Sequence, residues 1–187
     1  MRQAFLDHGY EHLTMSGLAP LCGLSRRALY HHFSNKEDAF RYVLRHDGDR
    51  AIRDGLEAGQ RHLDNGGGDV VAILAEVMDV RYGHNRRILA GSPHAVEIND
   101  KAFRLARDIM IEHAMAFQAQ VAGLIVEMSD RGMLMLRPDV GPAVLAQTLC
   151  DGARGSNQTL PPIPTSDLPI RYRTILSAIL YGTTKAA

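Results

Sequence analysis

Residues 14–33 read TMSGLAPLCGLSRRALYHHF, and this stretch decides the fold. It divides into two short helices around Gly23. Thr14 suits an N-cap, because its side-chain oxygen can accept a bond from a free backbone N–H of the first turn. Leu18, Ala19 and Cys22 then recur at helical spacing on one apolar face. Gly23 stops that helix, since glycine is the residue least strained at positive φ. Leu24 is an apolar plug, and Ser25 caps the second helix, whose inner face is Ala28, Leu29, His32 and Phe33. A helix-turn-helix crosses two helices steeply through a short turn containing Gly. Ala19, four residues before Gly23, is small enough for that approach, and Leu18, Cys22, Leu24 and Leu29 fill the wedge. The opposite face of the second helix carries Arg26, Arg27, Tyr30 and His31, all donors that can reach phosphates or base edges in a major groove.

The flanking residues sharpen this. Upstream stand Phe5, Gly9 and Tyr10, and downstream Tyr30-His31-His32-Phe33-Ser34-Asn35-Lys36-Glu37 runs into a new N-cap and helix. With Thr14, Ala19, Gly23 and Ser25, this pattern resembles the DNA-binding signature of the tetracycline-repressor (TetR) family over roughly the first quarter of the chain. The resemblance implies an all-helical fold and a dimeric DNA-binding regulator, whose dimer forms through the last helices and whose small-molecule pocket lies among the middle ones. It also implies phosphate contacts at Tyr30 and Lys36. Three departures stand out. The family's first helix begins further upstream than Met1, so either the start lies upstream or the first helix is short here. Pro20 sits inside the first helix of the motif, where a kink is expected. Ala28 replaces the family's common Thr.

With 187 residues the chain has room for one domain, or a small one joined to a larger one, and 45% hydrophobic content is enough for a real core. The formal net charge is zero, so any nucleic-acid surface must be local. Arg26, Arg27 and Lys36 supply it where the motif would meet DNA. Cys22 and Cys150 lie on apolar faces without metal-type spacing and read as free thiols of a reducing cytoplasm. No apolar run approaches membrane-spanning length, and the expected location is cytoplasmic, with no membrane partner.

Periodicity orders the rest. A helix from Asn35 or Lys36 to about Gly59 connects the motif to the remainder. Asp69 caps a helix from Val70 to about Leu89, after the Asn65-Gly66-Gly67-Gly68 loop. His94–Ile98 is a single turn, and Asn99 or Asp100 caps the longest helix, whose seam of Phe103, Ala106, Met110, Ala114, Phe117, Val121, Leu124 and Met128 ends at Gly132. Asp139 starts a helix to about Asn157. Ser166 or Asp167 caps the last one, and the tail beyond Gly182 frays. The last two helices are apolar on more than one stripe, which suits a two-fold dimer.

Nucleic-acid contacts are expected from Thr14, Ser25, Arg26, Arg27, Tyr30, His31 and Lys36, with Arg27 reading a base through a bidentate pair with guanine. His32 is expected to be a packed core histidine. His84, His94, Asn99 and His113, with Asn85 and Glu97 beside them, are the candidates for an effector pocket. No metal site is expected, although His94 and Glu97 at i, i+3 with His113 are the one arrangement that could form one. There is no Gly-rich phosphate loop, His-Glu-x-x-His or nucleophile motif, so no enzyme and no cofactor are expected. The fold class is therefore all-α. A three-helix helix-turn-helix domain with a truncated first helix occupies residues 1–46, and a larger helical ligand-binding and dimerisation domain occupies 47–187. The expected function is a dimeric, ligand-responsive repressor on a double-stranded DNA operator. The alternative is a helical ligand-binding or structural dimer with weakened DNA binding.

Overall fold

The computed structural model describes the backbone of residues 1–66 and 68–185 and the side chains up to Tyr181; the expected glycine loop therefore lies partly outside it. The order is α1 (Arg2–His8), α2 (Met15–Leu21), α3 (Arg26–His32), α4 (Lys36–Asp64), α5 (Val70–Met78), a π-helical turn (Asp79–Gly83), α6 (His84–Ala90), α7 (Ala95–Leu105), α8 (Arg107–Asp130), β1 (Met135–Leu136), α9 (Pro142–Gly155), two 3₁₀ turns (Ser156–Gln158, Thr165–Asp167), α10 (Leu168–Thr183) and β2 (Thr184–Lys185). The chain packs as two compact units.

The first unit joins residues 1–50 to residues 88–113. Its core is Phe5, Tyr10, Leu18, Ala19, Leu29, Phe33, Phe40, Val43 and Ile98, with Cys22 and Leu24 partly buried beside them. The local rules hold here. Thr14 accepts from Gly17 N at 3.1 Å and Ser25 from Ala28 N at 3.1 Å. Gly9 and Gly23 take φ of 73° and 67° at the two turns, where a Cβ would be strained. Helix α2 runs on through Pro20 to Leu21.

The second unit joins residues 51–87 to residues 114–187. Helices α5, α9, α10 and the later part of α8 enclose Ile73, Leu74, Met78, Phe117, Val121, Ile125, Met128, Leu149 and Tyr172. Each large apolar side chain buried this way contributes about 1.5–3 kcal/mol. The Tyr172 hydroxyl donates to Asn157 Oδ1 at 3.0 Å, satisfying its polar end inside the core. Helix α8 is long and apolar enough to cross a membrane by length and composition, against expectation. Its Phe117, Val121, Leu124, Ile125 and Met128 are buried in this core, and the core helix of a soluble protein can be equally long and apolar.

Several boundaries differ from the periodic reading. Helix α4 reaches Asp64, past Gly48, Gly55 and Gly59, and at 29 residues is longer than α8 at 24. Gly48 and Gly59 are spaces rather than weak points: a Cβ at Gly59 would stand 2.7 Å from Val77 Cγ2, and at Gly48 it would overlap the His113 ring. Asn99 and Asp100 lie inside α7 and cap nothing. The helical run breaks at Ala106, fully buried at φ −137°, where neither Gly nor Pro marks it. Phe103 is therefore exposed rather than on the seam. Asp139 does not start α9, because Pro142 fixes the first turn and Gly141 is the cap; Asp139 pairs with Arg137 instead. Helix α8 ends as expected, with Gly132 at φ 72° and Met133 N donating to Met128 O at 2.9 Å. Of the tail expected to fray, Thr184–Lys185 pair with Met135–Leu136, and residues 186–187 lie outside the described residues.

Both cysteines are free thiols. Burial pushes Cys150 up to about 12. At pH 8 a disulfide reagent should modify Cys150 only at the rate of unfolding, since the thiolate is the nucleophile. Cys150 labelling in native buffer as fast as in denaturant would contradict this packing.

Candidate nucleic-acid interface

Helix α3 is short, and its orientation is fixed from one side. Leu29 is fully buried, while Arg26, Arg27, Tyr30 and His31 are exposed on the other side. The Arg26 guanidinium lies 5.6 Å from the Tyr30 ring centroid, which holds both side chains on one face. Arg27 makes no ion pair or hydrogen bond among the described residues, so its planar fork is open. Thr14 and Ser25 use side-chain oxygens as caps and keep their hydroxyl protons for a further acceptor.

His32 corrects the sequence reading: it is exposed, not packed in the core. Helix α3 ends there, and Phe33 turns to an extended conformation at φ −134°, ψ 126°. Phe33 thereby fills the inner position, and His32 stacks edge-on to His31 at 5.4 Å between ring centroids.

The other N-terminal cations are engaged within the unit. Lys36 Nζ donates to Tyr10 O at 2.7 Å and Glu11 O at 3.3 Å, and stands 4.3 Å from the Tyr10 ring centroid. It keeps one of its three protons. Arg2 pairs with Asp47 at 3.3 Å. Arg41 binds both oxygens of Asp108, at 2.9 and 2.5 Å, and Arg45 binds Glu112 at 2.6 Å. The hydrogen bond from Arg41 holds the Asp108 carboxyl down at about 2. Nothing in the sequence marked Arg41 and Arg45 as clamps between α4 and α8, because their partners lie 67 residues away. Among the cations of residues 1–45, Arg26 and Arg27 on α3 are the two with no acidic or backbone partner among the described residues.

The effector candidates are not gathered into one place. His94 Nδ1 is 3.4 Å from Glu97 Oε2, and both line a shallow groove with Glu11, Asp100, Lys101 and Arg104. Glu97 Oε1 also accepts from Glu11 N at 2.6 Å, tying α7 to the turn after α1. Lys101 pairs with Glu11. Asn99 is exposed. His113 is buried beneath Gly48 with Nε2 2.9 Å from Asp49 Oδ1. His84 is exposed at the start of α6 and belongs to the second unit, with half-buried Asn85 beside it. Among the described residues no group of three or more His, Cys, Asp or Glu side chains could hold a metal ion.

Residues 2–43 match the model for bacterial regulatory proteins of the tetR family. The HTH-type transcriptional repressor AcnR of Corynebacterium diphtheriae is 45% identical over 49 residues, which cover 26% of each chain. An HTH-type transcriptional repressor of Mycobacterium tuberculosis is 37% identical over 59 residues, covering 29% of this chain and 32% of its own. The chain thus spans between a quarter and a third of the length of these relatives. Whole-chain likeness comes from solved structures. A TetR transcription regulator of Haloarcula marismortui superposes with a TM-score of 0.72 at 16% identity, covering 98% of this chain and 94% of that one. A TetR-family regulator of Mesorhizobium loti gives 0.71 at 17% identity, with 98% and 92% covered. At such identities the likeness establishes the fold. Residues 2–43 thus carry the tetR-family signature, and the chain along its whole length has the fold of TetR-family regulators.

Proposed function

We propose that this chain is a dimeric, ligand-responsive transcriptional repressor of the cytoplasm, binding a double-stranded DNA operator through α3. The observation that carries this is the exposed face of Arg26, Arg27, Tyr30 and His31, in a unit where Arg2, Arg41 and Arg45 are already paired with acids. Residues 1–46 serve DNA and residues 47–187 serve regulation and dimerisation. Arg27 reads a base edge. Thr14, Ser25, Tyr30, His31, Arg26 and the remaining proton of Lys36 serve phosphates or sugars, which position the protein without reading sequence. The repressor names of the relatives support the direction of control.

A single helix-turn-helix covers too little DNA for specific binding, so two half-sites about 34–36 Å apart are required. The dimer forms through α9 and α10. Val144 on α9 and Ile170 and Tyr181 on α10 are 61%, 72% and 78% exposed, an apolar surface that a partner copy would cover. A small-molecule effector acts by binding one conformation better than another, and a coupling of about 1–3 kcal/mol is enough to lower operator occupancy. Among His84, His94, Asn99 and His113, His94 is the best placed for a ligand, because its groove is open.

The test is titration of operator DNA, taken from the protein's own promoter region, at several salt concentrations. Two protomers neutralising about four to six phosphates predict a slope of roughly −4 to −5 in log affinity against log salt. A flat response, or a monomer by sedimentation at micromolar concentration, would contradict the proposal.

A further inference from the structure

Among the described residues, three buried side-chain polar atoms have no hydrogen-bond partner: Arg81 Nε, Arg86 Nε and Thr159 Oγ1. All three belong to the second unit. Two are guanidinium N–H groups and the third is a hydroxyl, so every one of them can donate. Buried donors are normally satisfied, and a native orphan asks for an explanation.

Arg81 is the most exacting of the three. Its guanidinium lies 5.0 Å from the Tyr82 ring centroid and 5.5 Å from that of Phe117, and it forms no ion pair among the described residues. Burial works against its charge, yet arginine stays protonated in proteins. The nearest acid in sequence, Asp79, has both oxygens on Arg87, at 2.9 and 2.8 Å. Another cation felt by Arg81, Arg154, has its own partner in Asp151. Arg81 also sits within the π-helical turn Asp79–Gly83, a kind of distortion that recurs at functional sites. The residue is half-buried, and its buried Nε–H costs stability unless something supplies an acceptor.

We infer that the second unit binds a small organic carboxylate with an apolar body, its carboxylate pairing with the Arg81 guanidinium; this rests on the assignment of residues 47–187, which include this unit, to regulation. The planar fork of arginine matches a carboxylate bidentately. Tyr82, Phe117 and Cys150 around it are aromatic or apolar, which suits a hydrophobic acid and disfavours a dianion such as a phosphate, whose desolvation costs more. Arg86 and Thr159 are two further donors in the same unit.

The test uses the full chain without DNA. Its melting temperature is followed in sodium phenylacetate and sodium octanoate, each against its neutral amide at equal millimolar concentration. Both the geometry and the charge of the site predict that at least one carboxylate raises the melting temperature saturably and that the amides do not. Arg81→Met should weaken that binding roughly 30-fold or more and leave the unliganded chain at least as stable as the parent, because an isosteric apolar side chain replaces an unpaired charge. Arg81→Lys, which keeps the charge but not the fork, should weaken binding by a smaller factor. The inference is overturned if neither carboxylate shifts the melting temperature, if the amides shift it equally, or if Arg81→Met or Arg81→Lys retains the full shift. It is also overturned if Arg81→Met destabilises the unliganded chain, since the guanidinium would then be supporting the fold. Operator binding, measured in parallel, separates the two claims. Carboxylate binding absent with operator binding intact counts against this site alone, and operator binding absent with the carboxylate shift present counts against the repressor alone.

Discussion

Phe40→Ala is expected to cost about 3–5 kcal/mol of stability, the range for truncating a buried aromatic core residue. Phe40 is 1% exposed, and its ring meets Phe5 and Tyr10 edge-on, each at 5.0 Å between centroids. Those three rings join α1, the turn after it and α4, so one truncation loosens three pieces of chain together. Against a total of about 5–15 kcal/mol the loss is large. For a chain of this size it lowers the melting temperature by about 6–20 °C, read by circular dichroism, and operator binding should fall with it. Tyr42→Ala is the control: two residues on, but 54% exposed, it should change stability by less than about 1 kcal/mol. Equal melting of the Phe40 variant and the parent would remove this cluster as the organiser of the N-terminal unit.

That cluster also shows what a sequence carries on its face. Thr14, Ser25, Gly9 and Gly23 do their work within four residues of themselves, and each is found in the conformation its chemistry asks for. The elements harder to read are those decided at a distance. The length of α4 depends on what stands opposite its glycines, Val77 at Gly59 and His113 at Gly48. The break at fully buried Ala106 lies in a run with neither Gly nor Pro to mark it. Periodicity placed His32 inward because it stands three residues after Leu29, but the helix ends there and Phe33 takes the inner position. The α3 face was legible because it is local. The missing counter-charge of Arg81 was not, because it can be seen only once every possible partner has been placed.

Arg27→Ala is expected to lower affinity for the operator by about 1–3 kcal/mol, or roughly 5- to 150-fold, while changing affinity for unrelated duplex much less. Arg26 is drawn toward Tyr30, Lys36 has two backbone carbonyls to serve, and Arg41 and Arg45 are held by Asp108 and Glu112. Arg27 alone among these cations presents an unoccupied fork near the start of α3, the end of a recognition helix that reaches base edges. Arg26→Ala makes the contrast. A residue that serves phosphate should, when removed, weaken operator and unrelated duplex alike and flatten the salt slope by about one for each phosphate no longer neutralised. Fluorescence anisotropy on both duplexes, at two salt concentrations, separates the roles. If Arg27→Ala weakens both duplexes equally and Arg26→Ala erodes discrimination, the base reader is the other arginine, and α3 enters the groove rotated so that Arg26 faces the bases.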